Sequence, residues 1–279
     1  MAKTWFITGA SSGFGRRLTE LLLQRGDRVA ATVRRPDALQ DLAAEHGSRL
    51  WVGILDVSDA KAVRSIVDRA FVELGRIDVV ISNAGYALSG AAEELSDEQI
   101  ERQIDTNLIG SMQLVRASIP HLRKQGGGRI IQLSSFLGQT GMPTTGVYGA
   151  TKWAIEGFIE ALIPEVAAFG IEATLVEPGT ARTNFFKGIE MVPHSAVYDN
   201  TGVGEFRRAM AAAGPSARKG DAGKIASAII ASAEQTPAPR RLVLGSDAFV
   251  AIHQALSARL ADLEAQKDLA FSTDATENA

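Results

Sequence analysis

The sequence contains no cysteine, which excludes disulfide bonds, thiolate metal ligands and cysteine nucleophiles together. Histidine is also scarce, with four residues at positions 46, 121, 194 and 253. Because these four are scattered along the chain, they indicate no metal-binding cluster, and we expect no bound metal.

A charge excess of one sign is lacking as well. The chain has 29 Lys and Arg against 32 Asp and Glu, a net charge of −3, so nothing favours a nucleic-acid partner. No apolar run approaches the ~20 residues that span a bilayer. The first apolar run, Trp5–Gly9, is too short for the core of a signal peptide. We therefore expect a cytoplasmic protein with no membrane association.

The composition, 46% apolar and 22% charged over 279 residues, is typical of a globular protein with a large core. Short apolar runs alternate with stretches of helical periodicity, the pattern of βαβ units around a parallel sheet. These runs are nearly continuous in Val, Ile, Leu and Phe, which indicates strands covered by helices on both faces. The predicted strands are Thr4–Thr8, Arg28–Val33, Leu50–Leu55, Asp78–Ser82, Arg129–Ser134, Ile171–Val176 and Arg241–Leu244.

Helices are predicted between the strands, and an insertion breaks the alternation after the sixth strand. The predicted helices are Gly13–Arg25, Asp37–His46, Asp59–Leu74, Asp97–Lys124, Val147–Phe169 and Asp221–Ala233. The insertion covers about residues 184–220, and a further helix is expected over about 248–267. No internal boundary is visible, so residues 1–279 are expected to form a single domain.

A glycine-rich loop, with the sequence TGASSGFG at positions 8–15, leads from the first strand into a helix. Glycines let the backbone turn tightly and approach a pyrophosphate, and the helix N-terminus offers free N–H groups to the phosphates. The same glycines would also suit a purely structural turn. The residues expected to contact a dinucleotide here are Gly9, Ser11, Ser12, Gly13, Phe14 and Gly15.

Two arginines, Arg34 and Arg35, follow the second strand, where folds that bind NAD place an acid for the ribose 2′-hydroxyl. Guanidinium groups would pair with a 2′-phosphate, which a carboxylate would repel. We therefore expect NADP(H) to be preferred over NAD(H); the alternative is that both arginines only solvate a loop. Asp56 and Val57, after the third strand, are placed to contact the adenine.

Tyr148 and Lys152 are four residues apart on a predicted helix, so their side chains share one face. A free tyrosine has a pKa of about 10 and exchanges protons poorly at neutral pH. A neighbouring ammonium favours the phenolate and is expected to lower that pKa towards the operating pH. An exposed Tyr–Lys pair without function is the alternative for this pair taken alone.

These features and others occur in chain order: the glycine loop, Asp56-Val57, Asn83-Ala84-Gly85, Asn107, Ser134-Ser135, Tyr148-Gly-Ala-Thr-Lys152 and Pro178-Gly179 with Thr183. The set resembles the short-chain dehydrogenase/reductase family over about residues 3–185. The resemblance implies an α/β, Rossmann-like, doubly wound parallel sheet of about seven strands in one catalytic domain. It also implies a homo-oligomer, a dimer or a tetramer.

The resemblance implies four catalytic residues: Asn107, Ser135, Tyr148 and Lys152. In the family's pattern the serine lies thirteen residues before the tyrosine, which selects Ser135 over its neighbour, and it orients the substrate oxygen. Tyr148 acts as general acid or base, Lys152 tunes it and holds the nicotinamide ribose, and Asn107 bends its helix and holds a relay water. The further cofactor contacts implied are Asn83, Ala84, Gly85, Tyr148, Lys152, Pro178, Gly179 and Thr183.

The sequence departs from the family pattern at two positions. Ser82 stands where a second asparagine often precedes the Asn-Ala-Gly turn, which puts one local hydrogen bond in doubt. Pro164 lies inside the helix that carries Tyr148, where it should produce a kink or an early end near Ile163. That helix commonly forms the family's dimer interface, so a kink there would change the geometry of the interface.

The insertion is rich in Phe, Met and Tyr, which favours an apolar substrate pocket, although any one of these side chains is as readily explained as core. No cluster of Arg or Lys within it indicates a phosphorylated substrate. We expect an apolar ketone, aldehyde or alcohol. The predicted pocket residues are Ser135, Phe136, Leu137, Pro143, Tyr148, Phe185, Phe186 and Met191.

The expected activity is that of an NADP(H)-dependent carbonyl reductase or alcohol dehydrogenase. Two alternatives keep the same scaffold: a non-catalytic NADP-binding sensor or interaction protein, and an epimerase or dehydratase. A pure binder has no chemical need for the full Ser, Tyr, Lys and Asn set, which argues against the first.

Overall fold

The computed structural model describes residues 2–214 and 217–275. Within them the strands are β1 (Thr4–Ile7), β2 (Arg28–Val33), β3 (Leu50–Ile54), β4 (Val79–Ser82), β5 (Leu88–Ser89), β6 (Gly128–Leu133), β7 (Ile171–Pro178), β8 (Glu190–Met191) and β9 (Arg241–Leu244). The α-helices are α1 (Gly13–Gln24), α2 (Gln40–His46), α3 (Ala60–Leu74), α4 (Asp97–Ile104), α5 (Gly110–Lys124), α6 (Gly146–Val166), α7 (Gly202–Ala212), α8 (Ala222–Ser232), α9 (Ser246–Ala265) and α10 (Lys267–Ser272).

Seven strands form one parallel sheet in the order β3-β2-β1-β4-β6-β7-β9. All seven predicted strands are confirmed, with ends within two residues of the prediction. The strand order reverses between β1 and β4, and ligands of such sheets bind in the crevice at the carboxyl ends of the strands at that point. The glycine loop follows β1 and Asn83 follows β4, so both lie at this crevice.

Helices cover both faces of the sheet, as the continuous apolar runs predict. Trp5 and Ile7 of β1 pack into the core on the side of α1 and α8. Phe6, between them, points to the opposite face and packs with Val63 of α3 and Leu114 of α5. Burying one such side chain contributes about 1.5–3 kcal/mol to the free energy of unfolding. Both faces therefore hold the strand ends of the crevice firmly in place.

Two predicted helices differ from the structure. The helix expected over 97–124 is α4 and α5 joined by a π-helical segment, Asp105–Ile109, which carries Asn107. The helix expected over 37–46 begins as a 3₁₀ turn, Pro36–Leu39, before α2. Proline at the first position suits such a turn because its φ is already set and its missing N–H would be unpaired there in any case.

Pro164 does not end its helix early, so of the two expected traces, a kink or an early end near Ile163, the early end is wrong. α6 continues to Val166 and passes through a 3₁₀ turn, Ala167–Phe169, to Gly170, whose φ is +68°. The proline lies two residues before the end of α6, so the only helical bond it removes is the one to the carbonyl of Glu160. One lost bond in the last turn leaves the helix intact.

The insertion after β7 contains more regular structure than the sequence indicates. It comprises a 3₁₀ turn (Asn184–Gly188), strand β8, a second turn (Ala196–Tyr198) and α7. β8 pairs in parallel with β5, which follows β4. The predicted C-terminal helix is α9, followed by α10. None of the helices in the described ranges combines the length and the apolar character that crossing a membrane requires.

Candidate active site

Residues 8–15 make the turn between β1 and α1. Gly9 and Gly13 have φ of +67° and +57°, conformations that favour glycine. A Cβ on Gly15 would overlap the Gly9 carbonyl oxygen and lie 2.6 Å from Nδ2 of Asn83. Ser12 occupies the N-cap of α1, but its side chain makes no capping hydrogen bond. The first N–H groups of α1 thus remain available to an anion at this end of the helix.

Asn83 ties this loop to the turn that follows β4. Its Nδ2 donates to the carbonyl oxygens of Thr8, at 2.8 Å, and Gly9, at 3.2 Å. The Thr8 hydroxyl in turn accepts from the backbone N–H groups of Asn83 and Ala84. Gly85 lies next to Asn107, because a Cβ there would be 3.1 Å from Oδ1 of that side chain. The turn at 83–85 therefore braces the glycine loop and links it to the π-helical segment.

Arg34 and Arg35 are exposed at the carboxyl end of β2. Within residues 2–214 and 217–275, neither guanidinium forms a hydrogen bond or an ion pair, so both are available to a ligand. Asp56 is also exposed, and its carboxylate accepts from the backbone N–H and the hydroxyl of Ser58. Val57 is buried and lies against Gly110 at the start of α5. These four residues occupy the side of the crevice next to β2 and β3.

Ser135, Tyr148 and Lys152 come together at the start of α6, as expected from the sequence. Tyr148 is only 7% exposed, and the Ser135 side chain lies close enough to its phenol to act on the phenol's pKa as a hydrogen-bond partner. Ser135 begins a 3₁₀ turn, Phe136–Gly138, and its hydroxyl also accepts from the N–H of Leu137. The Nζ atom of Lys152 lies 5.6 Å from the centre of the Tyr148 ring and donates to the carbonyl of Leu133 at 2.9 Å.

The pKa values of this pair differ from the expectation. Burial raises the pKa of Tyr148 to about 12, and the hydrogen bond with Ser135 opposes this only in part. Burial lowers the pKa of Lys152 to about 8, while the charge of Glu156 acts in the opposite direction. The protein's own groups therefore do not bring the phenol towards neutrality, because desolvation outweighs the opposing effect of Ser135, and Lys152 is not among the groups that shift the pKa of Tyr148. At neutral pH the phenol holds its proton and the lysine is charged.

Asn107 occupies the middle of the π-helical segment and is buried. Its Oδ1 accepts from the N–H of Tyr86 at 3.0 Å, and its Nδ2 donates to the Tyr86 carbonyl at 2.8 Å. Nδ2 also contacts the hydroxyl of Thr151, which is on α6 next to Lys152. The side chain thus holds the segment after β4 against α6. One wide turn interrupts the regular α-helix at Asn107, and the bend and the relay water that the resemblance implies stay predictions.

Pro178 ends β7, and Gly179 and Thr183 lie in the segment that follows. A Cβ on Gly179 would lie 2.6 Å from Cγ of Asp247, at the start of α9. The Asp247 carboxylate accepts from the N–H and the hydroxyl of Thr180. Thr183 caps the next 3₁₀ turn by accepting from the N–H of Phe185. Position 179 therefore requires glycine, because the start of α9 packs too closely against it to leave room for a side chain. The sequence did not indicate this contact.

An apolar wall surrounds the Tyr148 ring. Tyr148 packs with Ala87 and Leu137, and the neighbouring apolar side chains are Phe136, Met142 and Ile189. Phe185 lies over the tyrosine, with ring centres 6.1 Å apart, and Phe186 meets Phe185 edge-on. The structure thus gathers four of the predicted apolar pocket residues around Tyr148. The sequence did not indicate Ala87, Met142 and Ile189, because they come from three separate segments that only the fold brings to Tyr148.

Two predicted pocket residues lie outside this wall. Met191 is 66% exposed, because its neighbour Val192 takes the buried position and packs against Gly90. Pro143 is exposed as well, while the next residue, Thr144, is buried with a φ of +65°. Neither side chain packs with the cluster around Tyr148, and their place in the pocket stays a prediction.

The insertion is anchored above the site by polar contacts. Arg102 of α4 holds both carboxylate oxygens of Glu190, each at 2.6 Å. Arg207 of α7 pairs with the buried carboxylate of Glu94. Burial alone would raise the pKa of Glu94, but the bonds from Arg207 and from the backbone lower it to about 2. Together with the β5–β8 pairing, these contacts hold the insertion over the apolar wall.

A cavity of about 490 Å³ opens beside Gly13, at the start of α1. Basic side chains from three separate segments line it: Arg16 and Arg17, then Arg182 and Lys187, then Arg218. Arg16 is paired with Glu20 and Asp41, and Arg218 lies over the Phe186 ring. These basic residues come from segments far apart in the sequence, so no local cluster of Arg or Lys indicates the cavity. In the described part of the chain, no group of three or more His, Asp or Glu side chains is placed to hold a metal ion.

A model of the short chain dehydrogenase family matches residues 3–191. The chain belongs to this family. An oxidoreductase of Botryotinia fuckeliana, BOA17, is 36% identical over 98% of this chain and 100% of its own. A short-chain dehydrogenase from Streptomyces avermitilis has a similar crystal structure, with a TM-score of 0.91, 36% identity and coverage of 99% of this chain and 100% of its own.

A third relative is the alcohol dehydrogenase of Thermococcus sibiricus, solved in complex with 5-hydroxy-NADP. It has a TM-score of 0.73 and is 25% identical, over 88% of this chain and 96% of its own. In the present chain, the residues at the crevice fit a dinucleotide. Gly9 and Gly15 leave room for the close approach of a pyrophosphate, and the uncapped start of α1 offers N–H groups. The free Arg34 and Arg35 lie at the adjoining strand end.

Proposed function

We propose that this short-chain dehydrogenase is an NADP(H)-dependent oxidoreductase that interconverts an apolar ketone or aldehyde and its alcohol. The observation that carries this proposal is the convergence of Ser135, Tyr148 and Lys152 beside an apolar wall, at the crevice that also contains the glycine loop. A phenol buried between a hydroxyl and an ammonium can serve as a general acid or base.

The residues proposed to hold the cofactor surround the crevice. The glycine loop and the start of α1 would take the pyrophosphate, with Asp56 and Val57 near the adenine. Arg34 and Arg35 would pair with the 2′-phosphate. When bound, the nicotinamide supplies the hydride for the carbonyl carbon, or accepts it in the reverse reaction.

The proton is the part of the chemistry that the chain itself performs. With a pKa raised to about 12 by burial, the Tyr148 hydroxyl is protonated at neutral pH and ready to donate to the carbonyl oxygen of a substrate. The Ser135 hydroxyl, next to the Tyr148 phenol, would hold the same oxygen. In the alcohol-oxidising direction the phenol must first lose its proton, and a positive charge on Lys152 favours that state.

Lys152 and Asn107 are proposed to support the proton transfer. Lys152 is charged at neutral pH, with a pKa lowered to about 8 by burial. Asn107 connects to α6 through Thr151 and keeps the segment after β4 in register with the Tyr148 helix. Mutation of either residue would alter the protonation or the placement of Tyr148.

The first test of this proposal is a substrate panel. We expect the purified chain to oxidise NADPH in the presence of apolar ketones or aldehydes and to show little turnover with phosphorylated or carboxylate-rich carbonyl compounds. The reason is that Phe136, Leu137 and Phe185 offer no positive charge next to Tyr148. Loss of NADPH absorbance measures turnover. Tight NADPH binding with no turnover on any carbonyl compound would instead favour a non-catalytic sensor.

The proposed nucleotide preference depends on the two free arginines. We expect Arg34→Ala to weaken NADPH binding by about 10-fold or more, since a hydrogen bond to a charged group contributes about 1.5–3 kcal/mol. NADH binding should be little changed, because it carries no 2′-phosphate, and this serves as the internal control. Fluorescence titration of both nucleotides against wild type, Arg34→Ala and Arg35→Ala measures the effect. Equal NADPH affinity in all three proteins would show that neither arginine binds the 2′-phosphate.

The cytoplasmic location and the homo-oligomer stay predictions. α6 and α9 carry exposed apolar side chains, among them Trp153, Phe249 and Leu263. A second copy of the chain could cover them.

A further inference from the structure

Glu156 is a buried carboxylate that the proposed reaction does not use. It lies on α6, one turn after Lys152, and is 2% exposed. In the sequence it looks like an ordinary helix surface charge. Burying a carboxylate is costly unless it is fully paired, so its contacts decide what it does.

Its two oxygens hold both ends of the loop that carries Ser135. Oε1 accepts from the hydroxyl of Ser134 at 2.5 Å, and Oε2 accepts from Nε2 of Gln139. These two residues bracket Ser135 and the 3₁₀ turn that follows it. The carboxylate therefore spans the whole loop from behind, on the helix that also carries Tyr148 and Lys152.

Gly138 shows how closely the loop is fitted to this carboxylate. A Cβ at this position would overlap Oε1 of Glu156 and lie 2.6 Å from its Cδ atom and 2.8 Å from the Ser134 hydroxyl oxygen. The φ of Gly138 is not in the left-handed region, so space and not backbone conformation requires the glycine. Any side chain at 138 would push the loop away from α6.

The charge of Glu156 is balanced on its other side by Arg241. One Nη atom of Arg241 lies 2.6 Å from Oε2 of Glu156 and also contacts Glu177 of β7, while the other Nη contacts Glu160 at 2.6 Å. Burial, reinforced by the charge of Glu156, raises the pKa of Glu177 to about 7. Lys152 and Tyr148 are the titratable groups on the active-site side. Arg241 is thus the ion-pair partner of Glu156 on this side, and the charge of Glu156 acts to raise the pKa of Lys152.

We propose that Glu156 is a positioning residue, which clamps the loop 134–139 so that Ser135 faces Tyr148 and which keeps a negative charge behind Lys152. This inference rests on the proposed function for its catalytic readout, but the clamp itself can be measured without any substrate.

The test compares Glu156→Gln with Glu160→Gln. The second variant is a matched control, because it removes an exposed carboxylate that is paired with the same Arg241 guanidinium. We expect Glu156→Gln to lower kcat between about 10- and 100-fold, because small displacements of a catalytic group cost that much. The KM for NADPH should change little. The alkaline limb of the pH profile should move to lower pH, because the charge that raises the pKa of Lys152 is gone. Hydrogen–deuterium exchange of the 134–139 backbone should become faster, whereas Glu160→Gln should match wild type in all respects.

Gln139→Ala separates the clamp from the charge and keeps the test valid if Glu156→Gln does not fold. It removes one tether, so exchange at 134–139 should rise and kcat fall, but the alkaline limb should stay in place. Wild-type kcat and wild-type exchange in a folded Glu156→Gln protein, or in Gln139→Ala when the first variant does not fold, would overturn the proposal. If wild type reduces no carbonyl compound, the proposed function fails, while the exchange data still decide whether the clamp exists.

Discussion

Replacing Tyr148 by phenylalanine should lower kcat for carbonyl reduction by about 100- to 10,000-fold, the usual contribution of a positioned general acid. Phenylalanine keeps the ring that packs with Ala87, Leu137 and Phe185, so the fold and the apolar wall should persist. Only the proton donor and the bond to Ser135 are removed. The affinity for NADPH, measured by fluorescence titration, should therefore remain close to that of wild type while turnover is lost.

The chain offers a matched control, since Tyr86 is a second tyrosine near the site. Its backbone holds Asn107, but its hydroxyl only accepts a weak bond from Arg102, at 3.4 Å. Tyr86→Phe makes the same chemical change outside the catalytic group and should retain turnover within about twofold, as for surface substitutions in general. Undiminished turnover in Tyr148→Phe, or an equal loss in both variants, would refute the assignment of Tyr148 as the acid.

The sheet and the proximity of Tyr148 and Lys152 could be predicted because their signals are local. Strands such as Arg28–Val33 are short runs of β-branched and apolar residues. Because helices cover both faces of the sheet, the apolar residues of such a strand are nearly continuous in the sequence. Tyr148 and Lys152 meet because residues four apart on a helix must share a face. Ser135 and Asn107 came from the resemblance to a family, and the structure places both beside α6.

What could not be predicted depends on contacts between distant segments. The π-helical segment is held by the bonds of Asn107 to the backbone of Tyr86, some twenty residues away. The pairing of β5 with β8 joins two-residue strands about a hundred residues apart, too short for any periodicity. The same limit applies to Glu156, because a glutamate one turn after a lysine is usually an exposed helix pair. Its burial follows from Ser134, Gln139 and Arg241, which arrive from other elements.

The pKa of Tyr148 is the clearest case in which sequence reasoning identified the residues but not the balance of forces. The spacing of Tyr148 and Lys152 indicates a favourable charge interaction, which lowers the pKa of a phenol. In the structure the pKa rises to about 12, because burial outweighs the opposing effect of Ser135 and Lys152 is not among the groups that shift it. The depth of burial depends on Leu137 and the other neighbours of Tyr148, which the spacing does not reveal. Packing therefore adds to the stability of the acid form, which a phenol with an ordinary pKa of about 10 already holds at neutral pH.

Replacing Gly15 by alanine should abolish dinucleotide binding, with NADPH affinity falling by about 100-fold or more, because the glycine loop cannot take its shape around a Cβ. The added atom would overlap the carbonyl oxygen of Gly9 and lie 2.6 Å from Nδ2 of Asn83. Neither neighbour can yield easily, since Asn83 is bonded to Thr8 and Gly9, and Gly9 has a φ of +67°. The start of α1 must then move away from β1, and such overpacking costs about 1–3 kcal/mol of stability.

NADPH titration and thermal unfolding together measure this effect, and Gly157→Ala provides the matched control. Gly157 is exposed in the middle of α6, where a Cβ meets nothing within 4 Å. Alanine is the better helix former there by about 1 kcal/mol, so the control should bind NADPH normally and unfold at the same or a higher temperature. For Gly15→Ala we expect the Tm to fall by several degrees, at about 2–4 °C per kcal/mol in a chain of this size. A Gly15→Ala protein that binds NADPH with wild-type affinity would show that the cofactor does not use this loop, because a displaced α1 cannot present the same N–H groups to the pyrophosphate.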